Sequence, residues 1–172
     1  MRGKHRQVFS AGTIQNGVAL DIVTNWLDAH EEVYGLKHPD VDAIIGIANK
    51  AFPINVGDAL WKKYELGQRF EITDPETKAP SVRNVFLHGN RNSLGKLSGV
   101  EPLQARGVIF WQCNNALTGI ANLLATSTNQ LRDVVREELI GGLNPGVKLV
   151  PAHTMLLGLA QEKGCTYEAI GG

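Results

Sequence analysis

Cys113 lies at the junction of two sequence patterns in residues 107–125, GVIFWQCNNALTGIANLLA. The residues before it are mostly apolar, as in a buried strand, and the residues after it have the spacing of a helix. A thiol just before a helix lies near free backbone N–H groups, which favour the thiolate. A thiolate at this junction suits attack on sulfur or the holding of a persulfide. The alternative is a small structural residue that fills a corner of the core.

Two further predicted strands are also followed by polar residues. Asn49 and Lys50 follow the apolar strand 41–48, and His153 follows the strand 147–150. In open parallel sheets, ligands bind outside the carboxyl ends of the strands. If these strands are neighbours of the strand that ends in Cys113, we expect the polar residues to meet at one edge.

The strand ends therefore predict a set of site residues. Cys113 is the candidate nucleophile, and His153 is either a catalytic base or a polar cap of the next helix. The helix N-terminus and the Asn114 and Asn115 amides are expected to steady the sulfur anion, with His153 or Lys50 assisting proton movement. The predicted substrate-binding residues are Asn49, Lys50, Asn114 and Asn115.

Cys165, the second cysteine, follows the helix-ending Gly164 and precedes the last predicted strand. It therefore belongs to the opposite edge of the sheet from Cys113. A strand of about five residues spans roughly 17 Å, whereas a disulfide requires Cα atoms within about 7 Å of each other. We expect no bond between the two cysteines and a structural role for Cys165.

The other histidines give weaker signals. His88 lies in a long loop, where a solvated position is typical but where it could also cover the site, and His30 lies on an apolar helical stripe. A metal site of Cys113, His153 and His88 lacks the closely spaced pair of ligands that is typical of such sites. The glycine motifs of nucleotide-binding proteins are absent from the sequence. We expect neither a metal nor a cofactor.

Strands and helices alternate along the chain, which predicts an α/β fold with a mostly parallel sheet and helices on both faces. The predicted strands are 7–9, 41–49, 107–112, 147–150 and 167–170, and the predicted helices are 18–34, 56–67, 101–107, 115–125, 128–142 and 154–164. Residues 68–99 are rich in Gly, Pro, Asn and Ser, and we expect a long loop or an interface segment there.

The predicted helix 128–142 has a defined start and an apolar face. Thr128 or Asn129 is its expected cap. The residues expected to face inward are Leu131, Val134, Val135 and Leu139.

The length of 172 residues suits a single domain, which we assign to residues 1–172. Seventeen basic and seventeen acidic residues cancel, so there is no broad field to attract nucleic acid. No apolar run approaches the roughly 20 residues that span a bilayer, and we expect no membrane partner. The start, MRGKHRQVF, has no apolar signal core. We expect a periplasmic protein if the chain is the mature form of an exported precursor, and a cytoplasmic one otherwise.

The chain resembles the DsrE-like sulfur-relay family over residues 103–170, and more loosely over residues 41–66. The resemblance rests on the strand that ends in Cys113 (VIFWQCNNAL) and on the tail LNPGVKLVPAHTMLLGLAQEKGCTYEAI. The segments KHRQVFSAG and ALWKKYELG are similar to an uncharacterised branch that is often exported with a twin-arginine signal. Many family members have a glycine at the position of His153.

The resemblance implies a flavodoxin-like three-layer sandwich with about five strands that assembles into trimers or hexamers. It also implies that Cys113 accepts and passes on persulfide sulfur, and that the partner is a sulfur donor or acceptor protein or a small sulfur compound. The expected function is that of a sulfur carrier or sulfurtransferase. The alternative is a non-catalytic ligand-binding or assembly protein of the same fold, in which Cys113 is structural.

Overall fold

A computed structural model describes residues 3–170 and contains a five-stranded sheet with helices on both faces. The strands of this sheet are β1 (His5–Ala11), β2 (Val41–Ile47), β5 (Ile109–Cys113), β6 (Lys148–Val150) and β7 (Thr166–Ile170), and a separate hairpin is formed by β3 (Asn90–Arg91) and β4 (Leu97–Ser98). The α-helices are α1 (Val18–Tyr34), α2 (Asp58–Lys63), α3 (Leu66–Arg69), α4 (Val100–Ala105), α5 (Asn114–Thr128), α6 (Arg132–Gly141) and α7 (His153–Glu162). Short 3₁₀ turns cover Gln15–Gly17 and Asn49–Asn55.

The main sheet is entirely parallel, in the order β6-β5-β2-β1-β7. The predicted α/β fold, a flavodoxin-like three-layer sandwich, is confirmed. None of the described helices is long and apolar enough to cross a membrane.

The direction of the crossovers assigns the helices to the two faces. Connections from β1 to β2, β5 and β6 move along the sheet in one direction, whereas the connection through α7 returns to β7 on the far side of β1. Right-handed crossovers in opposite directions place their helices on opposite faces. α1 and α5 therefore cover one face, and α7 covers the other.

Each face has its own core. The larger core, beneath α1 and α5, contains the fully buried Phe9, Ile45 and Phe110. The smaller core, beneath α7, contains Trp111 and Cys165 among its buried residues. Because successive strand residues point to opposite faces, Phe110 and Trp111 belong to different cores.

Residues 68–99 pack on the larger core through buried Ile72 and Phe86, although little of the segment apart from β3 and β4 is regular. Asn84 anchors the segment to the chain at residues 54–56. Its side-chain amide donates to the carbonyl oxygens of Ile54 at 3.0 Å and Val56 at 2.8 Å, and its side-chain oxygen accepts from the Phe86 amide at 2.9 Å. These three hydrogen bonds of a buried side chain hold the segment in place, although it has little regular secondary structure.

The single helix predicted over 56–67 is wrong, because α2 ends at Lys63 and α3 begins at Leu66. Glu65 has φ 50°, in the left-handed region, and this interrupts the helical run. Gly67 explains the close approach of the following segment. A Cβ at this position would collide with the backbone of Ser81.

The predicted start of helix 128–142 is also wrong. α5 continues through Thr128, and α6 begins only at Arg132. Val135 and Leu139 are buried as expected, but Leu131 and Val134 are 76% and 45% exposed. Leu131 precedes the first helical turn, so the helical period that would have placed it inward does not apply to it.

Replacement of Asn84 by alanine tests the anchoring of residues 68–99. We expect Asn84→Ala to lower the free energy of unfolding by about 3 kcal/mol, because buried carbonyl groups lose their donors. Urea denaturation measures the change. Asn122→Ala, at an exposed position of α5, is the control and should leave stability nearly unchanged. Equal stability of the two variants would contradict the role given to Asn84.

Candidate functional site

The carboxyl ends of β5 and β6 form the switch point of the sheet. The chain leaves β5 into α5 on one face and leaves β6 into α7 on the other, so the two connections diverge and a crevice opens between them. Cys113 is the last residue of β5, and its partner in register, Val150, is the last residue of β6. The sequence-predicted cysteine therefore lies at the place where parallel sheets most often bind ligands.

Two backbone N–H groups point at the Cys113 sulfur. Sγ accepts from the amide of Ala116 in the first turn of α5, at 3.4 Å, and from the amide of His153, the first residue of α7, at 3.3 Å. The N-terminus of a helix carries a partial positive charge. Because two helices begin at the same sulfur, it lies at the positive ends of both helix dipoles.

A cleft of about 550 Å³ opens beside this sulfur. Cys113 is recessed, with 5% of its surface exposed. Asn49, Lys50 and Asn115 are exposed residues of the cleft wall. The structure thus gathers most of the predicted site residues around one cavity, and the described residues offer the Lys50 ammonium group no ion-pair partner.

Asn114 is the predicted site residue that does not line the cleft. Its side-chain oxygen accepts from the Arg136 guanidinium at 2.5 Å. This bond ties the start of α5 to α6, so the side chain of Asn114 supports the helix that meets the sulfur.

The His153 ring points into the smaller core, where both ring nitrogens have partners. Nδ1 accepts from the indole N–H of Trp111 at 2.9 Å, and Nε2 lies 2.8 Å from the hydroxyl of Ser10. An indole nitrogen only donates, which assigns the proton of the neutral ring to Nε2. Burial lowers the pKa of His153 below the ordinary histidine value. In this arrangement the ring is neutral and both of its nitrogens are hydrogen-bonded. His153 contacts Cys113 through its peptide N–H, which donates to the sulfur.

Gly46 provides the space for the Trp111–His153 pair. A Cβ at this position would lie 2.6 Å from both the indole nitrogen of Trp111 and Cε1 of His153. Ser10, Gly46 and Trp111 are partners in register across β1, β2 and β5. Sequence reasoning missed these three residues as parts of the site, and the available signal was a glycine within the mostly apolar strand β2.

Cys165 has a different environment from Cys113. It precedes β7 at the opposite edge of the sheet, and burial raises the pKa of its thiol. Both cysteines are free and buried. Among residues 3–170, the Cys165 sulfur accepts no hydrogen bond.

The predicted role of His88 as a cover for the site gains no support from its position. His88 is exposed, pairs with Glu101 at 2.8 Å and is not part of the cleft wall. Within residues 3–170, no three His, Cys, Asp or Glu side chains are grouped so that they could hold a metal ion.

Comparison of the chain with protein-family models and with curated proteins gives no match. The chemical interpretation of the site therefore depends on its own geometry: a recessed sulfur, two helix N-termini and an open cleft.

The buried neutral His153 predicts a specific pH dependence of stability. Below about pH 6.5, unfolded chains take up a proton that the folded ring resists, so the free energy of unfolding falls by at most about 1.4 kcal/mol per pH unit from this residue. We expect His153→Gln to remove this component of the slope and His88→Gln, the exposed control, to retain it. Urea denaturation between pH 5 and pH 8 measures both. An unchanged slope in His153→Gln would contradict the assignment of a neutral ring.

Proposed function

We propose that the protein is a sulfur carrier or sulfurtransferase of the DsrE-like kind, which holds a persulfide on Cys113. The observation that carries this proposal is the pair of helix N-termini at one recessed sulfur beside an open cleft. Thiolates, not thiols, attack sulfur. The same two amides that favour the thiolate also favour the anionic persulfide that replaces it.

The second cysteine provides an internal comparison. Cys165 packs against apolar residues of the smaller core, and burial raises the pKa of its thiol. A cysteine that only fills space needs no donors, whereas Cys113 receives two. The contrast supports a chemical role for Cys113 and a structural one for Cys165.

The groups around Cys113 have three roles in this proposal. The amides of Ala116 and His153 hold the sulfur anion. Asn49, Lys50 and Asn115 form the wall that meets the donor or acceptor. The ring of His153 is a positioning group, since its bonds to Trp111 and Ser10 fix the start of α7 at the sulfur.

Loading with inorganic polysulfide tests the carrier function. We expect the intact mass of the native protein to increase by one sulfur atom, because the Cys113 thiolate attacks a sulfane sulfur and releases the shortened polysulfide. Cys165→Ser should still load, and Cys113→Ser should not. Serine keeps a hydroxyl acceptor for the helix amides, so Cys113→Ser is expected to fold. Mass spectrometry before and after a reductant identifies the persulfide.

The alternative, a non-catalytic ligand-binding or assembly protein, makes the opposite prediction for the thiol. In that case Cys113 would resist both polysulfide and a small alkylating reagent under native conditions. Resistance of Cys113 in the folded protein would overturn the carrier function, whatever the cleft binds.

We also propose that the protein forms homo-oligomers, with a trimer or hexamer as the expected state. Support comes from α7, the helix that covers one sheet face, where Met155 and Leu159 are 47% and 43% exposed. Parallel sheets are normally covered on both faces. A second copy of the chain packed on α7 would shield these apolar side chains from water.

Light scattering tests this assembly. We expect a mass above that of a monomer at micromolar concentration, and we expect the double substitution Met155→Glu, Leu159→Glu to lower it, since charges would be buried in the contact. Leu94→Glu, on an exposed leucine of the β3–β4 hairpin, is the control. A monomeric native protein would contradict the proposed assembly.

A further inference from the structure

A second cavity lies directly beside the Cys113 cleft. This side lobe has a volume of about 560 Å³, and it shares Lys50 and Ile120 with the cleft. Its wall includes Thr13, just after β1, and Arg69, at the end of α3. The two cavities together extend from the switch point across the carboxyl ends of β2 and β1.

The side lobe combines apolar walls with opposite charges. Its apolar surface comes from Phe70, Ile120 and Leu123, and its charged side chains are Lys50, Arg69 and Glu71. All three charged residues are exposed to solvent. Two cations and one anion leave an excess of positive charge, which favours a ligand with more carboxylates than amines.

Several polar groups of the side lobe have no hydrogen-bond partner within residues 3–170. Arg69 donates its Nε to the carbonyl of Tyr64 at 2.8 Å, and within residues 3–170 its terminal amino groups and the Lys50 ammonium have no acceptor. The Thr13 hydroxyl is a buried oxygen without a hydrogen-bond partner. Such a group is costly unless a water or ligand satisfies it.

The backbone around the two cavities has left-handed residues that are not glycine. Gln15 and Glu71 in the side lobe and Asn49 in the cleft have φ of 34°, 56° and 47°. Residues in this region cost free energy and are often found at ligand sites. Here they add to the case made by the cavity and its charges.

We infer that the side lobe holds the body of a low-molecular-weight organic persulfide of the amino-acid type, one with carboxylates and an amine, whose sulfur reaches Cys113. Carboxylates pair with Arg69 and Lys50, the amine pairs with Glu71, and Phe70 and Leu123 cover the carbon chain. This inference rests on the proposed carrier function, because it names the donor that loads the same thiol.

The recessed position of Cys113 favours a small-molecule sulfur donor over a protein. A protein surface cannot approach the sulfur of a residue that is 5% exposed without inserting a narrow chain, whereas a small molecule fits within cavities of this size. The chemistry is a direct transfer of sulfane sulfur. The Cys113 thiolate bonds to the outer sulfur of R–S–SH, the S–S bond breaks, and R–S⁻ leaves with the bonding pair, so no external oxidant or reductant is needed.

Loading rates with two organic donors test the inference on the native protein. Glutathione persulfide carries two carboxylates and an amine, and hydroxyethyl persulfide carries neither. We expect Arg69→Gln to slow loading by glutathione persulfide about tenfold, as for loss of a charged hydrogen-bond donor, and to leave loading by hydroxyethyl persulfide unchanged. Arg69→Lys should restore part of the rate, since it restores the charge.

One further variant is a matched control, and another tests a second residue of the side lobe. Arg91→Gln, on the hairpin, also removes one cation and one side-chain bond to a backbone carbonyl, and it should load at the native rate with both donors. Leu123→Glu, at a position that is 56% exposed, should fold normally and slow only glutathione persulfide. Thermal melting confirms that each variant is folded.

The outcomes separate this inference from the carrier function. Equal effects of Arg69→Gln on both donors, or no effect on either, would overturn the side-lobe assignment while polysulfide loading still supports the carrier. If no donor loads Cys113, the carrier function fails. Binding of S-methylglutathione to the Cys113→Ser variant then tests whether the side lobe binds this class of ligand. Arg69-dependent binding in calorimetry would support it, and absence of binding would overturn it.

Discussion

The hydrogen bond from the His153 amide to the Cys113 sulfur joins two helices that the topology places on opposite faces of the sheet. α5 begins at the end of β5 and α7 begins after β6, so the two N-termini meet only because these strands are neighbours. A single sulfur thereby lies in the field of both helices. The cleft, the exposed wall residues and the side lobe all open from this point of divergence.

The position of α7 depends in turn on a row of residues across the sheet. Ser10, Gly46 and Trp111 stand side by side on β1, β2 and β5, and the His153 ring lies over the glycine with a partner on each side. A larger residue at the centre of this row would displace the ring. The ring holds the helix, and the helix presents its first amide to the sulfur.

The two cysteines show how position determines the chemistry of one residue type. Both are buried, and both are free thiols. Cys113 ends a strand and receives two amides, whereas Cys165 precedes a strand and packs among apolar neighbours. Helix N-termini lie at the carboxyl edge of a parallel sheet, so only the first of these positions places backbone N–H donors at the sulfur.

The sequence by itself determined the alternation of strands and helices and the residues that follow each strand, because both are local patterns. Cys113, His153, Asn49, Lys50 and Asn115 were accessible in this way. The break at Glu65 and the late start of α6 were not, since Glu65 and Asn129 are non-glycine residues in the left-handed region and interrupt the helical runs there. Only the tertiary structure decided where the His153 ring points and which cavity adjoins the thiol. Those features depend on strand register and packing between residues far apart in the chain, which no local pattern encodes.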